Sequence, residues 1–82
     1  MKKLLPAWIE IFDIIKDGII ISMVAKKSDT TFSHTVKILK MLEDEKYIEI
    51  IAKGRMRCIT FTAKGKRMKE KIKEFMNIWR EK

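Results

Sequence analysis

Apolar residues recur along this chain in blocks whose spacing changes from helical to extended and back. Residues 4–17 carry Trp8, Ile9, Ile11, Phe12, Ile14 and Ile15, with only Glu10, Asp13, Lys16 and Asp17 polar. That pattern predicts a helix whose apolar coverage is wider than one core-facing stripe. Pro6 suits its first turn, where a missing N–H costs nothing, and Gly18 suits the position past its end, where positive φ is needed. The β-branched residues 18–21 predict a brief strand, and residues 21–27 a short helix with Val24 and Ala25 inward and Lys26 and Lys27 outward. Next comes Ser-Asp-Thr-Thr at 28–31, a run of turn and cap formers whose short oxygen side chains bond orphan backbone N–H groups. It leads into a helix over residues 30–45, with Phe32, Val36, Leu39 and Leu42 as the apolar stripe and Ser33, His34, Lys37 and Lys40 as the outer face.

The second half changes period. Residues 47–52 and 56–62 are rich in β-formers and flank Lys53-Gly54-Arg55, which signals a hairpin. Along the second strand Ile59 and Phe61 share one face, and Cys58 and Thr60 the other. Thr62 is a candidate N-cap for a last helix over residues 64–81, where Met68, Ile72, Phe75 and Trp79 recur at helical spacing and Met76 and Ile78 widen the stripe. The order is helix, short strand, helix, turn, helix, hairpin, helix. It specifies an α+β, mainly helical fold: a winged helix-turn-helix with a three-helix core, a two-stranded β-wing and a C-terminal helix.

With 82 residues, the whole of 1–82 forms one domain. A chain this short buries only roughly 60–65% of the surface its unfolded form exposes. Its single cysteine cannot form an intrachain disulfide, which leaves oligomerisation as a route to stability. The first and last helices hold more apolar surface than one small core can cover. A homodimer is therefore expected, with Trp8, Ile11, Met68, Ile72, Phe75, Met76 and Trp79 at its interface.

Charge narrows the partner. The formal net charge is +8, and 37% of residues are charged; a small basic domain attracts polyanions, with nucleic acid first and an anionic membrane second. No acid stands between Glu49 and Glu70, while Lys53, Arg55, Arg57, Lys64, Lys66, Arg67 and Lys69 do. The last helix is basic and amphipathic, as an interfacial membrane helix is, but its place in a closed fold favours core and dimer seam over membrane. No apolar run spans a bilayer and no signal peptide is visible, so a cytoplasmic protein is expected. One His and one Cys cannot assemble a metal site. There is no nucleophilic triad and no phosphate-binding Gly-rich loop, so neither an enzyme nor a cofactor is expected. Cys58 reads as a half-buried strand residue or, with Arg57 beside it, as a redox sensor.

Ser33, His34 and Lys37 are candidate base readers, with Lys40 on the same outer face and Thr30 and Thr31 near phosphates, because the major groove admits a helix and displays base-specific donors and acceptors. Lys53, Arg55 and Arg57 at the hairpin tip are candidates for phosphate or minor-groove contact. The plainer reading of both sets is a solvated surface.

These segments also resemble a family. Val24-Ala25-Lys26-Lys27, then Thr31-Phe32-Ser33-His34 and the run from Thr35 to Glu43 are similar to the helix-turn-helix of MarR-like winged-helix regulators, above all small archaeal members whose recognition helix opens Thr-aromatic-Ser-His. Lys53-Gly54-Arg55 resembles that family's wing, and Thr62-Ala63-Lys64-Gly65 its Thr-x-x-Gly approach to the last helix. The resemblance implies a homodimeric regulator of transcription that binds double-stranded DNA. The chain departs from the pattern at Lys46, where the family has Gly, so Lys46 must accept positive φ or the helix must end differently. It also lacks the longer terminal helices that form a ligand pocket in the family, so no small-molecule effector is expected. The alternative is a winged-helix protein-interaction module within a larger complex, for which an acidic or apolar recognition face would be the mark.

Overall fold

The computed structural model describes residues 5–81; the expected start of the first helix at Leu4 lies outside them. The elements are α1 (Ala7–Ile14), β1 (Ile19–Ile20), α2 (Ile21–Lys27), α3 (Phe32–Asp44), β2 (Ile48–Lys53), β3 (Met56–Phe61) and α4 (Ala63–Trp79). The three strands form one antiparallel sheet in the order β1-β3-β2. The wing thus has the two expected strands, and the residue pair Ile19–Ile20 adds a third by pairing with Ile59 and Cys58.

α1 ends earlier than its apolar run suggests. Pro6 caps it at φ −59°, and Ile15 leaves the helix in an extended conformation at ψ 135°. The sheet takes over the segment that follows. The Gly18 N–H donates to the Ile59 carbonyl at 2.8 Å, and the Phe61 N–H donates to Asp17 Oδ1 at 2.8 Å. Gly18 has φ +86°, as expected, but it serves the turn into β1 rather than the helix end.

The core lies between the helices and one face of the sheet. Ile11, Phe12, Ile15, Val24, Leu39 and Ile59 are wholly buried, and Ile38, Leu42, Ile48, Ile72 and Met76 nearly so. Phe12 stacks on Phe61 at 5.6 Å and meets Tyr47 edge-on at 5.9 Å. Ile11, Ile72 and Met76 therefore belong to the chain's own core, not to a surface open to a second copy. Of the expected interface set, Trp8, Phe75 and Trp79 are exposed and Met68 is half-buried.

Two polar junctions fix α4. At α1, Lys69 Nζ donates to the carbonyls of Phe12 and Asp13, where a cation meets the negative end of a helix. Burial of this ammonium lowers its pKa, and the Asp13 charge opposes that shift. Arg80 closes the other end with a 2.8 Å ion pair to Asp13. At the α4 N-terminus, Thr62 Oγ1 accepts from the Gly65 N–H at 3.0 Å, the cap anticipated from the sequence.

α3 ends on Lys46 at φ +69°. The Tyr47 N–H returns to the Leu42 carbonyl and the Lys46 N–H to that of Glu43, both at 3.0 Å. This is a Schellman closure with Lys in the position that Gly normally takes.

Candidate nucleic-acid interface

The helix-turn-helix is held from inside by a polar residue. Thr35 is wholly buried. Its Oγ1 donates to the Thr31 carbonyl at 2.9 Å and lies 3.3 Å from Ser28 Oγ. Ser28 in turn donates to the Ala25 carbonyl at 3.2 Å, so the end of α2 is tied to the second turn of α3. Thr31 caps α3 by accepting the His34 N–H at 3.2 Å. These bonds set the angle at which α3 leaves the turn.

The core-facing side of α3 is Thr35, Ile38, Leu39 and Leu42. The expected stripe of Phe32, Val36, Leu39 and Leu42 is correct only in its last two members: Phe32 is 59% exposed and Val36 is half-buried at the edge. The true stripe has the tighter i, i+3, i+4, i+7 spacing. Thr35 concealed it because a threonine is not counted as apolar. Ser33, His34, Lys37 and Lys40 are all exposed, as expected of an outer face, and Thr30 is half-buried behind the exposed cap Thr31. The face has an end: Glu43, Asp44 and Glu45 close the helix with acidic side chains, which confines positive charge to its N-terminal two-thirds. Glu43 has a structural partner, since its Oε2 accepts the Ile50 N–H at 3.1 Å and so covers part of the open edge of β2.

The wing turns at Gly54, φ +61°, with Lys53 and Met56 paired across the loop. Positive φ at Gly54 and not at Arg55 fits the first central position of a type II′ turn. Lys53, Arg55 and Arg57 are exposed. Arg57 alternates to the same side of β3 as Ile59 and hence toward α3. Arg55, Arg57 and Lys40 come together on one depression of about 380 Å³, lined also by Ile20, Ile21, Phe32, Val36, Ile50 and Met56. Lys53 does not line it. Cys58 packs buried on β3 opposite Ile20 and Ile51, the strand placement expected of it. Among the described residues no group of three or more His, Cys, Asp or Glu side chains could hold a metal ion. No helix there is long and apolar enough to cross a membrane.

No family model and no curated protein sequence matches the chain, but solved structures do. AF1382 from Archaeoglobus fulgidus superposes with a TM-score of 0.85 at 26% identity, over 96% of this chain and 94% of that one. FabT from Streptococcus pneumoniae, solved in complex with DNA, gives 0.77 at 23% identity over 88% of this chain. The transcriptional regulator SlyA gives 0.81 at 19% identity over 92%. This chain spans 54% of the FabT chain and 56% of the SlyA chain, so those two likenesses concern the shared winged-helix part. The fold is that of the MarR-like winged helix-turn-helix transcription regulators, with an archaeal protein of nearly the same length among its neighbours.

Proposed function

We propose that the protein is a homodimeric, sequence-specific, double-stranded DNA-binding regulator of transcription. The observation that carries this reading is the convergence of the recognition helix and the wing, with Lys40 of α3 and Arg55 and Arg57 of the hairpin on one depression. Ser33, His34 and Lys37 on the exposed side of α3 meet base edges in the major groove. Thr30 and Thr31 stand beside phosphates at the positive end of that helix. Lys53, Arg55 and Arg57 contact the backbone or the minor groove. Occupancy of a promoter by the dimer is then itself the regulatory act.

The two parts of the interface have separable roles. Lys37→Ala is expected to weaken binding by about 1–3 kcal/mol and to relax sequence preference, because this side chain stands at base edges. Arg55→Ala is expected to weaken all duplexes to a similar degree. Binding curves for both variants on a duplex selected from a random pool, and on an unrelated duplex, make the comparison. Identical uniform losses would place the recognition surface elsewhere.

The dimer is supported by apolar surface that the core leaves uncovered. Trp8 is 40% exposed, Phe75 40% and Trp79 43%, and the Phe75 and Trp79 rings stack at 5.8 Å along one side of α4. A two-fold pairing through α1 and α4 would present two recognition helices about 34–36 Å apart, matching successive major grooves and an inverted-repeat operator. Sedimentation at micromolar concentration should show a dimer for the wild type and a monomer for Trp79→Glu. A folded wild-type monomer at that concentration would rule out this pairing.

A further inference from the structure

We propose that Phe32 is a specificity determinant that recognises the C5-methyl group of a thymine in the bound duplex, an inference that rests on the DNA-binding reading above. Phe32 is the first residue of α3, between the cap Thr31 and the outward-facing Ser33. The fold makes no use of most of its ring: the core face of the helix is Thr35, Ile38, Leu39 and Leu42, and Phe32 is 59% exposed. It is a large apolar side chain at the end of the helix that leads into a groove. It is not isolated there. Half-buried Val36 and the 54% exposed Met56 lie along the same depression, and Lys40, Arg55 and Arg57 stand around it.

A depression lined by apolar side chains, with Lys40 on the helix and Arg55 and Arg57 on the wing, suits a partner that presents an apolar group between anionic ones. Duplex DNA meets that description at a thymine, whose methyl group is the one apolar feature displayed in the major groove, between two phosphate backbones. The cations hold the backbone, and the ring covers the methyl. Hydrogen bonding from Ser33 or Lys37 distinguishes bases by donor and acceptor pattern; Phe32 adds a preference that hydrogen bonding does not supply.

Uracil keeps the pairing edge and the hydrogen-bonding groups of thymine and lacks the methyl, so it isolates the contact. The probe is the tightest duplex enriched from a random-sequence pool by the intact chain, with each thymine replaced in turn by uracil. For the wild type, one thymine in each half-site should show a loss of about four-fold on replacement, the equivalent of about 0.8 kcal/mol for one buried methyl. Phe32→Ala should abolish the thymine–uracil difference at that position and leave the others unchanged. Phe32→Leu, which keeps apolar contact, should retain part of it. Equal losses in wild type and Phe32→Ala at every thymine would overturn the proposal while the DNA-binding reading stood, leaving the depression to a different occupant. Failure of the wild type to enrich or retain any duplex at low salt would overturn both. The exposure of Phe32 predicts unchanged thermal unfolding in both variants, and a melting curve for each checks that the comparison is between folded proteins.

Discussion

Affinity for duplex DNA should fall by about four to five orders of magnitude between roughly 50 and 200 mM monovalent salt. The expectation comes from counting cations on one surface. Lys37 and Lys40 of the recognition helix and Lys53, Arg55 and Arg57 of the wing are all exposed. If about four to five of these neutralise phosphates in each protomer, a dimer releases enough condensed counterions for log K to fall with log salt at a slope of roughly −7 to −9. Fluorescence anisotropy with a labelled duplex across a salt series measures the slope directly. Arg55→Ala should reduce it by about one for each protomer's lost phosphate contact. The acidic end of α3 sets a limit on the same count. Glu43, Asp44 and Glu45 would repel phosphate if the helix lay flat along the backbone, so the basic N-terminal part must enter first. A slope shallower than about −3 would mean that the wing and α3 do not both reach phosphate. It would favour a protein partner for this face.

Local chemistry made much of this fold legible from the chain. The hairpin followed from Gly54, because a two-residue loop needs positive φ and only glycine adopts it cheaply. Thr62 as a cap followed from its place before a periodic run. Lys46 was marked by the resemblance and not by local chemistry: MarR-like regulators have Gly there, which left positive φ or a different helix end, and φ is +69°. What the chain did not disclose depended on contacts between distant segments. The early end of α1 is fixed by the Phe61–Asp17 bond, between residues 44 positions apart, and no local pattern contains it. The orientation of α3 depended on Thr35, whose hydroxyl is satisfied by the Thr31 carbonyl and Ser28. A buried polar group is tolerated only with such partners, and a hydropathy pattern cannot show whether they exist. The surplus of apolar residues on α1 and α4 was real, but its division between core and surface was a matter of helix rotation. Ile11, Ile72 and Met76 face inward, while Trp8, Phe75 and Trp79 remain accessible.

Gly65→Ala should destabilise the fold by about 3 kcal/mol or more, an overpacking penalty at the upper end of the usual range. Gly65 is buried in the first turn of α4, directly on the backbone at the start of the wing. A Cβ there would lie 1.8 Å from the Tyr47 carbonyl oxygen and 2.8 Å from its carbon. Neither atom belongs to a side chain that can swing away. The Tyr47 oxygen is also the acceptor for the Thr62 N–H at 3.1 Å and Thr62 Oγ1 at 3.2 Å. Relief of the clash would move α4 outward, lengthening those bonds and withdrawing Lys64 from the Glu45 carbonyl and from the Tyr47 ring. The packing of Tyr47 and Phe61 against Phe12 would loosen with it. At about 4–8 °C per kcal/mol for a domain of this size, the melting temperature should drop by about 12–24 °C. One step along the same junction the sign reverses. Lys46 is non-glycine at φ +69°, and its hydrogen bonds to Glu43 and Thr62 run through the backbone. Lys46→Gly keeps them and removes the left-handed strain. After the larger unfolded-state entropy of glycine is subtracted, a gain of about 0.5–1 kcal/mol is expected. Thermal unfolding followed by circular dichroism tests both substitutions in one series. Wild-type stability in Gly65→Ala would mean that α4 does not sit against Tyr47. A loss in Lys46→Gly would mean that the lysine side chain contributes more than its backbone strain costs.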